Sequence, residues 1–509
     1  MNTFTNPVLK GFSPDPSACG VGEDFYLVTS TFAYFPGVPI YHSKDLVNWT
    51  QIGNVLERDS QLPLDQAGHS QGIFAPCLRY HEGTFYMITT NVTHGGNFVV
   101  TATDPKGPWS DPYYLEDAPG IDPSLFFDED GRCYYVGTRP NPKGVTYNGD
   151  WEVWLQELDL NTMRLIGVST SLWKGAMRDV VWPEGPHLYK KDGYYYLMIA
   201  EGGTGFNHCV TIARSQQVAG PYLGNPNNPI LTHRHLGKDF PVCNVGHGDL
   251  VETTTGKWYM TCLASRNYDG YSNLGRETFL AEVVWEDGWP VVNPGHGQLL
   301  DVQEHALPLS PVPETSQFSL AEENVAFVYL RNPHPADYNR TVRPGWLRLT
   351  PGEATLSDVA SPTYIGLRQK AMNYHFRVDI QPSLAKEEAC GLALIQSNDY
   401  HVRLEITETE NGYLAQLIRT LAGVEETLGR TTFTGDRFVL QFTGALQPLT
   451  AKVIVAEEEH LVAEAVAIHY LSTEIAGGFV GCTMGLYATR TAPQATGYVD
   501  AYQIEHQVN

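Results

Sequence analysis

One pattern recurs along the first 310 residues: a small or acidic residue beside Pro or Gly, a short apolar strand, a Gly-bearing turn, and a second strand rich in aromatics. The copies begin at Asp15 (DPSACGVGEDFYLVTS), Ala75 (APCLRYHEGTFYMITT), Asp122 (DPSLFFDEDGRCYYVGT), Glu184 (EGPHLYKKDGYYYLMIAEG) and Gly248 (GDLVETTTGKWYMTCLAS). Each reads as a β-hairpin, because Gly supplies the positive φ that tight hairpin turns need. The spacing between openings leaves room for about four strands per copy. Sheet-sized repeats of this kind predict a five-bladed β-propeller over 1–310, with the innermost strand of each blade lining a central channel. The opening residues, distant in sequence, are then expected to converge on one axis.

The character changes at LPLSPVPETS (307–316). A Pro-rich linker is expected over 311–324. Beyond it, HFRVDIQPSL, GLALIQSNDYHVRLEIT, GYLAQLIRT and RFVLQFTG alternate apolar and polar residues between polar turns. Period two over such lengths predicts an antiparallel β-sandwich of the jelly-roll or concanavalin-like kind over 325–509, making the chain all-β. Helical periodicity is almost absent and charged residues are only 18%, which excludes a coiled coil or a disordered chain.

Lys and Arg number 33 against 57 Asp and Glu, a net charge of −24. Such a surface repels phosphate backbones, so nucleic acid is not an expected partner. No stretch reaches the ~18 apolar residues of a membrane span, and MNTFTNPVLKGFSPDP lacks the basic and apolar regions of a signal peptide. The eight cysteines are scattered without CxxC spacing, which fits buried thiols in a reducing compartment better than a disulfide scaffold. The expectation is a cytoplasmic protein with no membrane partner. Its oligomeric state stays open, a homo-oligomer included.

Three of the openings carry a carboxylate: Asp15 in GFSPDPS, Asp122 in PGIDPSLFF and Glu184 in VWPEGPHLY. Any one alone could be a turn or capping group. Three at equivalent repeat positions would meet in the channel, where burial of each costs several kcal/mol unless it is compensated. Crowded acids push their proton affinities apart, so one can stay ionised while another stays protonated. Hydrolysis of a glycosidic bond needs that division.

Phe32 and Phe74 are the aromatics expected at a sugar site, since sugar C–H faces stack on aromatic planes; other nearby rings are assigned to inter-blade packing. Arg276 in NLGRETFL could hold one acid ionised and donate to hydroxyls. His247 in CNVGHGDLV has three open readings: structural, a hydrogen-bond donor, or a ligand of a channel-bound calcium ion or water. Asp249 beside it could help, but two residues make a weak metal site. No cofactor is otherwise expected. GxSxG, HExxH, Walker and GxGxxG patterns are missing, against serine-hydrolase, zinc-protease, nucleotide and Rossmann chemistry.

With NPVLKGFSPDPS, STFAYFPGVPIYHSKDLVNW, GIDPSLFFDEDG, WPEGPHLYKKDGYYYLMIAEGG and NVGHGDLVE in this order, the chain resembles glycoside hydrolase family 43. RNPHPADYNRTVRPGWLRL and PTYIGLRQ are similar to the C-terminal sandwich of its xylosidase and arabinofuranosidase branch. The resemblance implies an inverting mechanism with Asp15 as general base, Asp122 orienting the acid and tuning its pKa, and Glu184 as general acid. It places Arg276 and His247 in the sugar pocket. Phe479 in AGGFVGC matches an aromatic that reaches over the pocket mouth, the alternative being a core Phe of the sandwich. A pocket plugged on one side favours exo-attack on small oligosaccharides.

Family xylosidases commonly carry Trp where this chain has Phe74. That departure leans the expectation towards an α-L-arabinofuranosidase on arabino-oligosaccharides, with xylan 1,4-β-xylosidase or dual activity as the alternative. A non-catalytic sugar-binding propeller is the competitor from another class. A retaining, sucrose-acting propeller fits SPDPS and WPEGP poorly.

Overall fold

Three Gly-bearing turns show why the hairpins form. In the computed structural model, Glu82–Gly83, Asp192–Gly193 and Asp287–Gly288 hold both residues at positive φ (46° and 84°, 51° and 78°, 50° and 74°). That geometry has the twist of the strands it joins. The structure describes residues 2–177, 181–312 and 315–508. Among them, five four-stranded antiparallel sheets follow one another along the chain. Their first strands are Ser17–Val21, Cys77–His81, Ile121–Phe127, Glu184–Lys191 and Val242–Glu252.

The apolar cores of this half lie between successive sheets. Val28 and Ile40 of the first sheet pack with Leu78 and Phe98 of the second. Ile88 and Val99 meet Leu125 and Trp154 of the third, and Phe126 and Val136 meet Leu188 and Leu197 of the fourth. Met198 and Ile212 pack with Leu250 and Met260 of the fifth. Val251, Tyr259 and Leu280 of that last sheet then pack with Ala18, Phe25 and Leu27 of the first, which closes the ring. This is a propeller. Strand Asn2–Thr5 pairs with Val302–His305, and Phe4 fills the closing core.

The C-terminal half is a sandwich of an eight-stranded and a six-stranded sheet. Strand Asn373–Ser383 alternates buried and less buried positions along its length, as period two requires. Its inward residues Phe376 and Val378 share a core with Leu392, Leu404 and Leu486 of the opposite sheet. The expected linker, 311–324, needs correction. Gln317–Ser319 is a strand paired with Tyr498–Val508, and Phe318 and Leu320 belong to the sandwich core. The Pro-rich flank hid this short apolar alternation; residues 313–314 lie outside the described residues.

The two halves share a core. Phe12, Phe32 and Tyr34 of the propeller pack with Val328, Tyr364, Ile395 and Val480, and strand Tyr34–Phe35 pairs with Tyr329–Leu330. The sandwich is thereby fixed against the propeller segment that follows Asp15. All eight cysteines are buried and free.

Candidate active site

Asp15, Asp122 and His247 all have left-handed backbones, with φ of 54°, 52° and 45°, a conformation that costs of order 1–3 kcal/mol for a residue with a side chain. Inner strands are irregular at the same places. Pairing slips between Ile121 and Ser124, between Glu184 and His187, and between Gly246 and Gly248. A bulge breaks the in–out alternation of a strand and re-aims a side chain. Here the re-aimed groups meet. The N–H of Gly185 donates to Asp122 Oδ2 at 3.2 Å, the His247 ring lies where a Gly185 Cβ would be, and His247 Nδ1 stands 3.7 Å from Asp15 Oδ1.

Asp15 is 4% exposed. Its Oδ1 accepts from Arg276 Nη1 at 2.8 Å and its Oδ2 from the Ser30 hydroxyl at 2.5 Å. Burial pushes its pKa up, but Arg276, His247 and Ser30 together outweigh burial and hold it below the ordinary carboxylate value. Asp122 goes the other way. Burial, reinforced by the Asp15 charge and opposed by His247, pushes it up to about 6. Glu184 is raised well above the usual range by burial and then by Asp122 and Asp15. The proton affinities of Asp15 and Glu184 are therefore pushed in opposite directions within one buried group.

Arg276 binds more than Asp15. Its Nη1 also donates to Thr204 Oγ1 at 3.2 Å, while Nε and Nη2 reach the main-chain oxygen of Phe479 at 3.3 and 3.1 Å. The contact with the sandwich is close because both segments have Gly there: a Cβ on Gly275 would lie 2.6 Å from Gly481 Cα, and one on Gly481 2.2 Å from the Leu274 oxygen.

Phe479 is no core residue of the sandwich. It is 36% exposed, its N–H donates to Ser70 Oγ at 2.8 Å, and its ring stacks 5.9 Å from Phe32. Phe74 joins them, 5.4 Å from Phe32 and 6.0 Å from Phe479. The guanidinium carbon of Arg276 is 5.6 Å from both the Phe32 and the Phe479 rings. Three aromatic rings and a forked cation thus stand beside the paired acids, a surface suited to the apolar face and the hydroxyls of a sugar.

Asp249 does not join His247. Its Oδ2 takes Ser17 Oγ at 2.7 Å and Arg79 Nη1 at 2.8 Å, and its Oδ1 takes Tyr189 OH at 2.6 Å and Arg79 Nη2 at 3.1 Å. Its oxygens are committed to a guanidinium and two hydroxyls, so it does not assist His247. Among the described residues, no group of three or more His, Cys, Asp and Glu is gathered to hold a metal ion.

Sequence reasoning missed Ser30, Thr204, His208 and the Phe479 carbonyl. His208 sits in the turn GTGFNHC, without a partner of recognisable spacing; its Nε2 is 4.0 Å from Glu184 Oε1.

The family model for glycosyl hydrolases family 43 matches residues 4–290, the part that carries the acids. The chain belongs to that family. A second model, the beta xylosidase C-terminal concanavalin A-like domain, matches 315–505, so in this family 43 member the sandwich is concanavalin A-like. A xylosidase/arabinosidase of Butyrivibrio fibrisolvens is 51% identical over 97% of both chains. A non-reducing end alpha-L-arabinofuranosidase of Bacteroides ovatus is 39% identical over 98% of this chain and 93% of its own. Among solved structures, a xylan beta-1,4-xylosidase of Bacillus halodurans superposes with a TM-score of 0.93 at 33% identity, over 99% of this chain and all of the other. The chain is a glycoside hydrolase, and a non-catalytic propeller is set aside.

Proposed function

We propose that the chain is an exo-acting, inverting glycosidase that releases a terminal pentose, α-L-arabinofuranose in preference to β-xylose, from short oligosaccharides. The feature that carries this reading is the opposite shift in the proton affinities of Asp15 and Glu184, with Arg276 joining Asp15 to an aromatic surface. Asp15 acts as the base: ionised and held by Arg276 and Ser30, it takes a proton from the attacking water. Glu184, held protonated by burial and by its acidic neighbours, gives its proton to the leaving oxygen. Asp122 keeps the Glu184 proton affinity high and, through the Gly185 N–H, fixes the bulge that presents it. Phe32, Phe74 and Phe479 pack the apolar face of the terminal ring, and Arg276 and His247 meet its hydroxyls.

The pentose preference rests on Phe74, whose ring leaves more room at the pocket wall than the Trp common in family xylosidases. A second reading, β-xylosidase or dual activity, is favoured by the likeness to the Butyrivibrio xylosidase/arabinosidase and the Bacillus xylan beta-1,4-xylosidase. Initial rates on paired aryl α-L-arabinofuranoside and aryl β-xyloside test the order: a higher kcat/KM for the arabinoside is expected, and the reverse establishes the second reading. NMR of the first-formed anomer tests inversion, and a retained product overturns the assigned roles.

A further inference from the structure

His208 faces Glu184 with an unfilled acceptor. The imidazole is 1% exposed, at the end of the turn before strand Cys209–Ser215. Its Nδ1 lies 3.0 Å from the main-chain oxygen of Asn244. A carbonyl only accepts, so Nδ1 carries the hydrogen and Nε2 presents a lone pair. Among the described residues that buried Nε2 has no hydrogen-bond partner, and Glu184 Oε1 stands 4.0 Å from it. The ring is held in place: it lies against Gly246, where a Cβ would come within 2.4 Å of its atoms, and the left-handed Asn244 (φ 59°) directs the anchoring carbonyl.

We propose that His208 is a positioning residue whose Nε2 lone pair keeps Glu184 loaded with its proton between turnovers. The proposal rests on Glu184 being the general acid. A neutral imidazole with a bare lone pair can accept a hydrogen bond from a carboxylic acid but repels a carboxylate, so the pair favours the loaded state. Burial holds the His208 pKa down to about 3, so the imidazole does not take the proton itself. Around the pair, Asp122 and Asp15 raise the proton affinity of Glu184 and Arg276 lowers it, while His247, Arg276 and Asp15 face His208.

In turnover, Glu184 gives its proton to the glycosidic oxygen as the C–O bond breaks and water, deprotonated by Asp15, bonds to the anomeric carbon. The Glu184 carboxylate is then left opposite a lone pair. As product leaves, Asp15 gives its proton to solvent and solvent returns one to Glu184. In an unliganded site such contacts are long and tighten when substrate binds.

The test is His208→Gln, whose amide can donate to a carboxylate. With an unactivated pentose disaccharide, the alkaline limb of kcat/KM is expected to move about one pH unit lower, about a tenfold loss on that limb. A 2,4-dinitrophenyl glycoside, which needs no proton, is expected to change by less than about twofold, and the acid limb to stay in place. An unmoved alkaline limb, or equal loss on both substrates, overturns the proposal. Glu184→Gln separates the two failures. If that variant also treats both leaving groups alike, the acid assignment itself falls, and His208 with it. If it spares only the activated glycoside while His208→Gln leaves the limb unmoved, the His208 proposal alone falls. Should His208→Gln not fold, the wild-type 15N resonance of His208 Nε2 decides: a pH step along the alkaline limb, lost in Glu184→Gln, is expected, and no step overturns it.

Discussion

The guanidinium of Arg276 is tied to Phe479 through the main-chain oxygen of that residue, 3.3 Å from Nε and 3.1 Å from Nη2, while its Nη1 holds Asp15 at 2.8 Å. Asp15 is thus held by an arginine that the sandwich holds in turn. Arg276→Met should lower kcat/KM roughly 10²-fold or more on every glycoside. It should also move the acid limb of the profile upward, because burial then raises the Asp15 pKa with its strongest opposing charge gone. An unchanged acid limb would contradict the arrangement.

Gly481→Ala probes the same link from the other domain. Its Cβ would meet the Leu274 oxygen at 2.2 Å, so the loop bearing Phe479 must shift. We expect kcat/KM to fall roughly tenfold to a hundredfold, since small misplacements near the reacting groups are costly, and stability to fall by about 1–3 kcal/mol. Kinetics and urea unfolding on one preparation check both; full activity would show that Arg276 does not depend on the sandwich.

The pH profile follows from the opposite shifts. In the proposed mechanism activity requires Asp15 ionised, so it is expected to rise as pH climbs through a pKa below the ordinary Asp value. It also requires Glu184 protonated, so it falls as pH climbs through a pKa well above the ordinary Glu value. Asp122, pushed up to about 6, gains its charge inside that window and strengthens the hold of Glu184 on its proton. Asp122→Asn should therefore move the alkaline limb to lower pH and move the acid limb little. Movement of the alkaline limb to higher pH would reverse the assigned coupling.

Phe74→Trp should shift the kcat/KM ratio of aryl β-xyloside to aryl α-L-arabinofuranoside towards the xyloside by roughly tenfold, the scale on which a changed hydrophobic wall discriminates similar substrates. Paired initial rates on wild type and variant measure it.

Arg79 and Asp249 tie the second sheet to the fifth. Asp249 has a fully buried side chain, so Arg79→Met leaves an unpaired charge in the channel and should destabilise the fold by about 3–5 kcal/mol in chemical unfolding. Burial raises the Asp249 pKa, but Arg79, His187 and Tyr189 overcome it and hold the folded value below the ordinary one. A depressed folded pKa means that the unfolded chain binds protons first. The stability from this group is therefore present above about pH 4 and drains away as pH falls towards the folded value.

Much of the site could be read before any coordinates. Asp15, Asp122 and Glu184 each follow a Pro or Ile and open a strand, and that repeated placement of an acid before apolar residues is visible in a linear pattern. Arg276 could be named as a cation able to hold one acid ionised, and the family resemblance placed it in the pocket. Ser30 and Thr204 did not, because a hydroxyl in a Gly- or Thr-rich stretch has many ordinary uses. The Phe479 carbonyl could not, since every residue has one. Phe318 was lost in a Pro-rich stretch because a three-residue strand gives period two too few positions to register.

Local chemistry, written along the chain, determined that this protein would be built of β-hairpins, that they would repeat at sheet-sized intervals, and that acids would head several of them. Turn geometry and side-chain alternation act over a few neighbouring residues, so the order of amino acids is enough to reveal them. Tertiary structure decided how the proton affinities of these acids are pushed apart. That outcome depends on Arg276 reaching Asp15 across 261 positions of sequence and on Asp122 and Asp15 standing near a buried Glu184. Electrostatic coupling acts through space over a few ångströms, and that proximity exists only once the sheets have closed and the sandwich has docked.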